Sequence, residues 1–204
     1  MKLDLRVPTS LNDIPLHQYQ KFIKTFENEK ELTNDYAATK MLEIFCGLKL
    51  TEALKIKIAD MRNITAKLNK ALSEKPLLIT RFKLGSTEFG FVPQLDDLTF
   101  GEFVDVENNI GDWETMHKAM AVLYRPVTER VGKKYAIEEY RGDSWHDAML
   151  NMPASVAVSA ITFFFHLEND LLKVTLPYSA KAETEIQQEK QTTLTNNGGG
   201  ITAL

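Results

Sequence analysis

Between Leu16 and Leu72 the apolar residues recur at helical spacing, and just past Pro76 the period changes to two. Few features constrain the chain as tightly, because a face with a period of 3.6 cannot also serve as a strand. Leu16, Tyr19, Phe22, Ile23 and Phe26 predict a helix over about 16–29. A second is expected from a Thr33 or Asn34 cap to Cys46, where Gly47 stops it. Thr51 is read as the cap of a third helix, with Leu54, Ile56 and Ile58 inside. A fourth is expected over about 60–73.

Residues 77–93 then read as a β-hairpin with Gly85-Ser86 as its turn. A two-residue loop would place Phe82 opposite Phe89 and Lys83 opposite Glu88, and both pairs favour that register. Gly90 would fall across from Arg81, where a small residue leaves room. Further on, Thr99–Asn109 predicts a helix, and Asp112 is expected to cap another that Pro126 ends near Arg125. Tyr135 and Ile137 suit a short strand. A short helix over 144–152 precedes a long one opened by Pro153 and ended before Pro177. At the N-terminus, Leu3, Leu5 and Val7 alternate with charges and predict a short edge strand.

The expected fold is therefore mainly α. It is a compact multi-helix domain over 1–177 with a small β-hairpin near 77–93 and short edge strands. A polar, Gly-rich arm follows over 178–204 and is expected to be flexible. A boundary near 76–94 would give two small lobes, so one domain is favoured.

Composition matters mainly for what it excludes. A single cysteine, Cys46, rules out an internal disulfide framework and a Cys-based zinc site. The net charge of −4 argues against a nucleic-acid binder driven by overall positive charge, so nucleic acid is an unlikely partner. The most apolar run, 154–167, has 14 residues and is too short to span a bilayer. The N-terminal MKLDLRVP has no signal-peptide apolar region, which leads to the expectation of a reducing cytoplasm and no membrane.

No motif asks for a cofactor, and no catalytic residue emerges. His17, His117, His146 and His166 do not fall at the i,i+4 spacing of a helical zinc pair. The three glycines at 198–200 lack the GK[ST] of a phosphate loop. An EF-hand loop started at Asp105 has Ile110 where Gly is required and Met116 where a bidentate Glu is required. The expectation is a protein that is not an enzyme, with neither metal nor cofactor.

Charge distribution is more informative. From Asp96 to Glu114 there are seven acids and no base: Asp96, Asp97, Glu102, Asp105, Glu107, Asp112 and Glu114. They read as a solvated acidic face or as a surface for a basic partner. Arg125, Arg130, Lys133, Lys134 and Arg141, interleaved with tyrosines but diluted by glutamates, read as a solvated loop. In the arm, Leu194, Ile201 and Leu204 are apolar enough to add to a neighbour's sheet edge.

Three segments carry a resemblance: LNDIPLHQYQKFIK (11–24), LTFGEFVDVENNIGDWETMHKAMAVLYRPV (98–127) and YAIEEYRG (135–142). They resemble small virion and tail-morphogenesis proteins of tailed bacteriophages. The resemblance implies a non-enzymatic assembly or structural protein acting through protein–protein contacts, with a tail assembly chaperone as the nearest role. Its sibling reading is a virion subunit of the head–tail connector or capsid, using the C-terminal arm; a nucleic-acid-associated phage protein is a lesser alternative. The implied partners are tape-measure, tail, portal or capsid proteins, or further copies of the chain. The implied location is the host cytoplasm during assembly, or the virion.

Overall fold

The computed structural model describes residues 5–27, 34–142 and 144–167, and the chain divides into two units, 1–162 and 163–204. In the first unit the helices are α1 (Leu16–Glu27), α2 (Asn34–Cys46), α3 (Leu50–Ala53), α4 (Ile58–Leu72), α5 (Phe100–Ile110), α6 (Met116–Leu123) and α7 (His146–Met149). The strands are β1 (Arg81–Leu84), β2 (Thr87–Phe91), β3 (Tyr124–Val131) and β4 (Lys134–Ile137). Residues 154–162 are helical as well. In the second unit, 163–167 are helical, and the Phe163 and Phe164 rings meet edge-on at 5.4 Å. The proposed arm at 178–204 lies outside the described residues.

The mainly helical expectation holds, and α1, α2 and α4 follow the apolar spacing closely. Gly47 stops α2 with φ +68, a left-handed conformation that suits glycine. The apolar faces of α1, α2 and α4 close one core around Leu11, Ile14, Leu42, Phe45 and Leu68. Phe22 of α1 packs on Phe45 of α2 with ring centroids 5.2 Å apart. Extended backbone ties the start of this layer to a late part of the chain. Leu16 N–H donates to the Met152 carbonyl at 2.8 Å, and Ala154 N–H to that of Ile14 at 2.8 Å.

The sheet is larger than the small hairpin with short edge strands that was expected, although a strand does fall at Tyr135 and Ile137. The four strands form one antiparallel sheet in the order β1-β2-β3-β4, with α5 and α6 inserted between β2 and β3. The hairpin register is the expected one: Phe82 pairs with Phe89, Lys83 with Glu88 and Arg81 with Gly90. Gly85 supplies the single positive φ of the turn, at +59. The charges settle differently. Glu88 reaches Arg81 at 3.3 Å and Arg130 at 3.9 Å, so its ion pairs run to arginines and not to the facing Lys83.

Of the basic residues expected in a solvated loop, Arg125 and Arg130 lie in β3 and Lys134 opens β4. Strand β3 starts directly at the end of α6, and Pro126 sits opposite Phe89. A proline inside a sheet lacks a ladder donor, but the Pro126 carbonyl still accepts from Glu138 N–H at 2.8 Å. The register shifts between Val127 and Glu129. A second correction concerns residues 5–7, which are not a strand. A third concerns Leu54 and Ile58, taken as interior but 73% and 72% exposed.

Aromatic rings cover one sheet face. Phe82 stacks on Phe89 at 5.4 Å, and Tyr124 meets Phe82 and Phe91 edge-on. The buried Tyr124 hydroxyl donates to the Ile79 carbonyl at 2.8 Å, and burial raises its pKa far above the ordinary phenol value. On the other face the room left by Gly90 is filled by Tyr135, whose hydroxyl donates to the Phe91 carbonyl at 2.7 Å. A Cβ at position 90 would lie 2.5 Å from Tyr135 Cε2 and 3.1 Å from Val127 Cγ2. Gly90→Ala is therefore expected to lower stability by about 1–3 kcal/mol, the usual cost of overpacking. In a Tyr135→Ala background the same change should cost much less. Urea denaturation of the four proteins measures the coupling, and equal costs in both backgrounds would disprove the steric account.

Candidate protein-binding faces

The seven acids of 96–114 do not form one uniform surface. Glu102 is 5% exposed, and its Oε1 lies 2.8 Å from Nη1 of Arg125, itself 8% exposed. Its Oε2 accepts from Thr99 N–H at 2.7 Å, while Thr99 Oγ1 accepts from Glu102 N–H at 3.3 Å. Thr99 and Glu102 thus close the reciprocal cap that fixes where α5 begins. Glu102 is turned inward, unlike the exposed acids of the run.

Asp105 is half-buried, and its Oδ2 accepts from the Tyr140 hydroxyl at 2.8 Å. Glu114 pairs with Lys24 of α1 on the surface. Asp112 Oδ1 accepts from Glu114 N–H at 2.8 Å, shaping the turn before α6 rather than capping it directly. Asp96, Asp97, Glu107 and Asp112 are exposed, and none of them forms an ion pair among the described residues. Leu194, Ile201 and Leu204 lie outside the described residues.

Glu102 and Val106 of α5 are buried, whereas Phe100, Phe103 and Glu107, neighbours at i,i+3 and i,i+4 spacing, are exposed. Phe100 is 83% exposed and Phe103 52%. Single exposed apolar residues are ordinary. Two phenylalanines one helical turn apart, among acids on a helix held by a buried ion pair, form a patch. Charge counting finds the acids and overlooks these rings.

A second surface was missed altogether. Helices α2 and α4, with the α3–α4 connection, enclose an open cavity of about 820 Å³. Ile56, Met61 and Thr65 line it, with the exposed Leu54 and Ile58 at its border. The Thr65 hydroxyl oxygen is buried and makes no hydrogen bond among the described residues. Segment 49–70 holds six bases and two acids, the reverse of the balance at α5.

Among the described residues no three His, Cys, Asp or Glu side chains cluster so as to hold a metal ion, and no helix is long and apolar enough to cross a membrane. Burial pushes the Cys46 thiol pKa up, which disfavours the reactive thiolate. His117 packs at the α1–α6 contact, where Gln20 Nε2 lies 3.2 Å from its Nδ1. The chain matches no protein-family model, no curated protein and no solved structure.

Two predictions follow from this geometry. Glu102→Gln leaves a buried guanidinium without its counter-charge and should cost about 3–5 kcal/mol. Adding Arg125→Met should recover part of that loss in chemical denaturation, and a double variant weaker than the single would refute the account. Burial, with help from Lys118 and His146, holds the His117 pKa below 6.5. A depressed folded pKa means its stabilising contribution is complete above pH 6.5 and is lost as pH falls through the lower folded value. NMR titration of the ring protons should give a midpoint under 6.5; one at or above 6.5 contradicts this.

Proposed function

We propose that this chain is a non-enzymatic bacteriophage assembly protein that acts by protein–protein contact through the outer side of α5. The nearest role is that of a tail assembly chaperone, as the resemblance of segments 11–24, 98–127 and 135–142 implies. The observation that carries the reading is the exposure of Phe100 and Phe103 among acids on a rigidly seated helix. Such a surface offers a partner apolar anchors at its centre and charge at its rim, the division of labour common in protein interfaces. A tape-measure protein, with long apolar helical stretches to be kept from aggregating, is the partner this role supplies.

Co-expression with the tape-measure protein of the same phage tests it. The wild-type chain should keep that protein soluble and co-purify with it. The Phe100→Asp/Phe103→Asp variant should lose at least tenfold of the recovered complex while its own melting midpoint stays within a few degrees. Mass spectrometry of purified particles should find the chain absent. Stoichiometric presence in particles would instead make it a virion subunit, and equal recovery with both variants would overturn the α5 assignment.

A further inference from the structure

Several acids of the first unit are neutralised within the chain. Glu43, Glu88, Glu102, Glu114 and Glu138 each pair with a lysine or arginine. Asp96, Asp97 and Glu107 are exposed and form no ion pair among the described residues. The segment 96–114 contains no lysine or arginine that could answer them. Along the chain these three acids bracket the exposed Phe100 and Phe103, two before the rings and one a helical turn after them. From Phe100 to Glu107 the helix rises about 10 Å, so rings and acids share a strip two turns long. Beyond its first turn the α5 backbone is hydrogen-bonded within the helix and offers a partner only side chains. A segment docking there must therefore satisfy its own backbone, as a helix does.

We propose that the exposed part of α5 takes up a basic amphipathic helix of its partner. The apolar stripe of that helix meets Phe100 and Phe103, and lysines or arginines to either side of the stripe meet Asp96, Asp97 and Glu107. The choice of occupant rests on charge complementarity. Three acids without a counter-charge favour a cationic partner, and they steer its approach before the rings make contact. The same acids repel phosphate, so nucleic acid and an anionic lipid surface are both disfavoured. They also repel α5 of a second copy. Apolar contact alone would accept any greasy helix, and the acids turn that contact into a selection. The inference rests on the reading of α5 as a protein-binding surface and names the chemistry of the segment it takes.

Calorimetric titration of the full chain with two synthetic peptides tests it. Both are amphipathic helices of about five turns with the same leucine stripe, one flanked by lysine and the other by glutamate. The wild-type chain should bind the lysine peptide about tenfold or more tightly than the glutamate peptide, and raising the salt from about 0.05 M to about 0.5 M should erase most of that preference. Asp96→Asn/Asp97→Asn/Glu107→Gln should bring the two peptides to within about twofold of each other, with melting unchanged. Phe100→Ser/Phe103→Ser keeps every acid and should still lose the lysine peptide, which separates docking from mere attraction between opposite charges. Ile58→Asp at the α2–α4 cavity should bind as the wild type does. Equal affinity of the wild type for both peptides, an undiminished preference in the triple variant, or loss of binding in Ile58→Asp each overturns the inference. A tape-measure complex that depends on Phe100 and Phe103, found together with no preference between the peptides, would overturn this inference alone. A clear preference for the lysine peptide with no tape-measure complex would overturn only the function proposed above.

Discussion

The Glu102 carboxylate has two partners, and the placement of α5 depends on both. One oxygen accepts the Thr99 N–H that would otherwise be left over at the start of the helix. The other meets Arg125 on β3. A buried pair of this kind is poor evidence for net stability, since both ions lose their water. Its value is geometric. It joins an inserted helix to a strand of the sheet and fixes the rotation of α5 about its axis. With Glu102 held inward, Phe100 and Phe103 stand on the exposed part of the helix. Their exposure is thus a consequence of the seating and not of a loose helix.

Much of the helical layer was legible because its signals are local. Stop residues and apolar spacing lie within a turn or two of the element they define, as Gly47 does for α2. The hairpin register was legible for the same reason, since a two-residue turn fixes every facing pair. Strand β3 was not. Its alternation is broken by the shift between Val127 and Glu129, and Pro126 argues against any central strand. What places it there is the long-range ladder to β2, which no local pattern carries.

The candidate surfaces show the same division. The acids at 96–114 were visible as a run, but only the fold separates Glu102, Asp105 and Glu114, which have partners, from Asp96, Asp97 and Glu107 on the outside. Arg125 lies far along the chain from Glu102, and counting charge cannot reveal such a pair. Leu54 and Ile58 erred in the other direction. Helical spacing groups apolar residues on one side and says nothing about what covers that side. Here nothing among the described residues buries them, and they border a cavity.

A net charge of −4 on 204 residues suggests a mixed surface of no particular sign. The distribution is otherwise, with seven acids and no base over 96–114 against six bases and two acids over 49–70. Concentrating like charge raises self-repulsion within each segment, a cost that interspersed charges would avoid. Exposing aromatic and aliphatic side chains in the same two places adds a risk of non-specific association. Each feature is a liability on a surface that meets only water. At α5 the two occur on one helix, where the acids at 96, 97 and 107 lie near the exposed Phe100 and Phe103. A face of that kind discriminates by repulsion as much as by attraction, since its acids disfavour another acidic surface while the rings supply apolar contact.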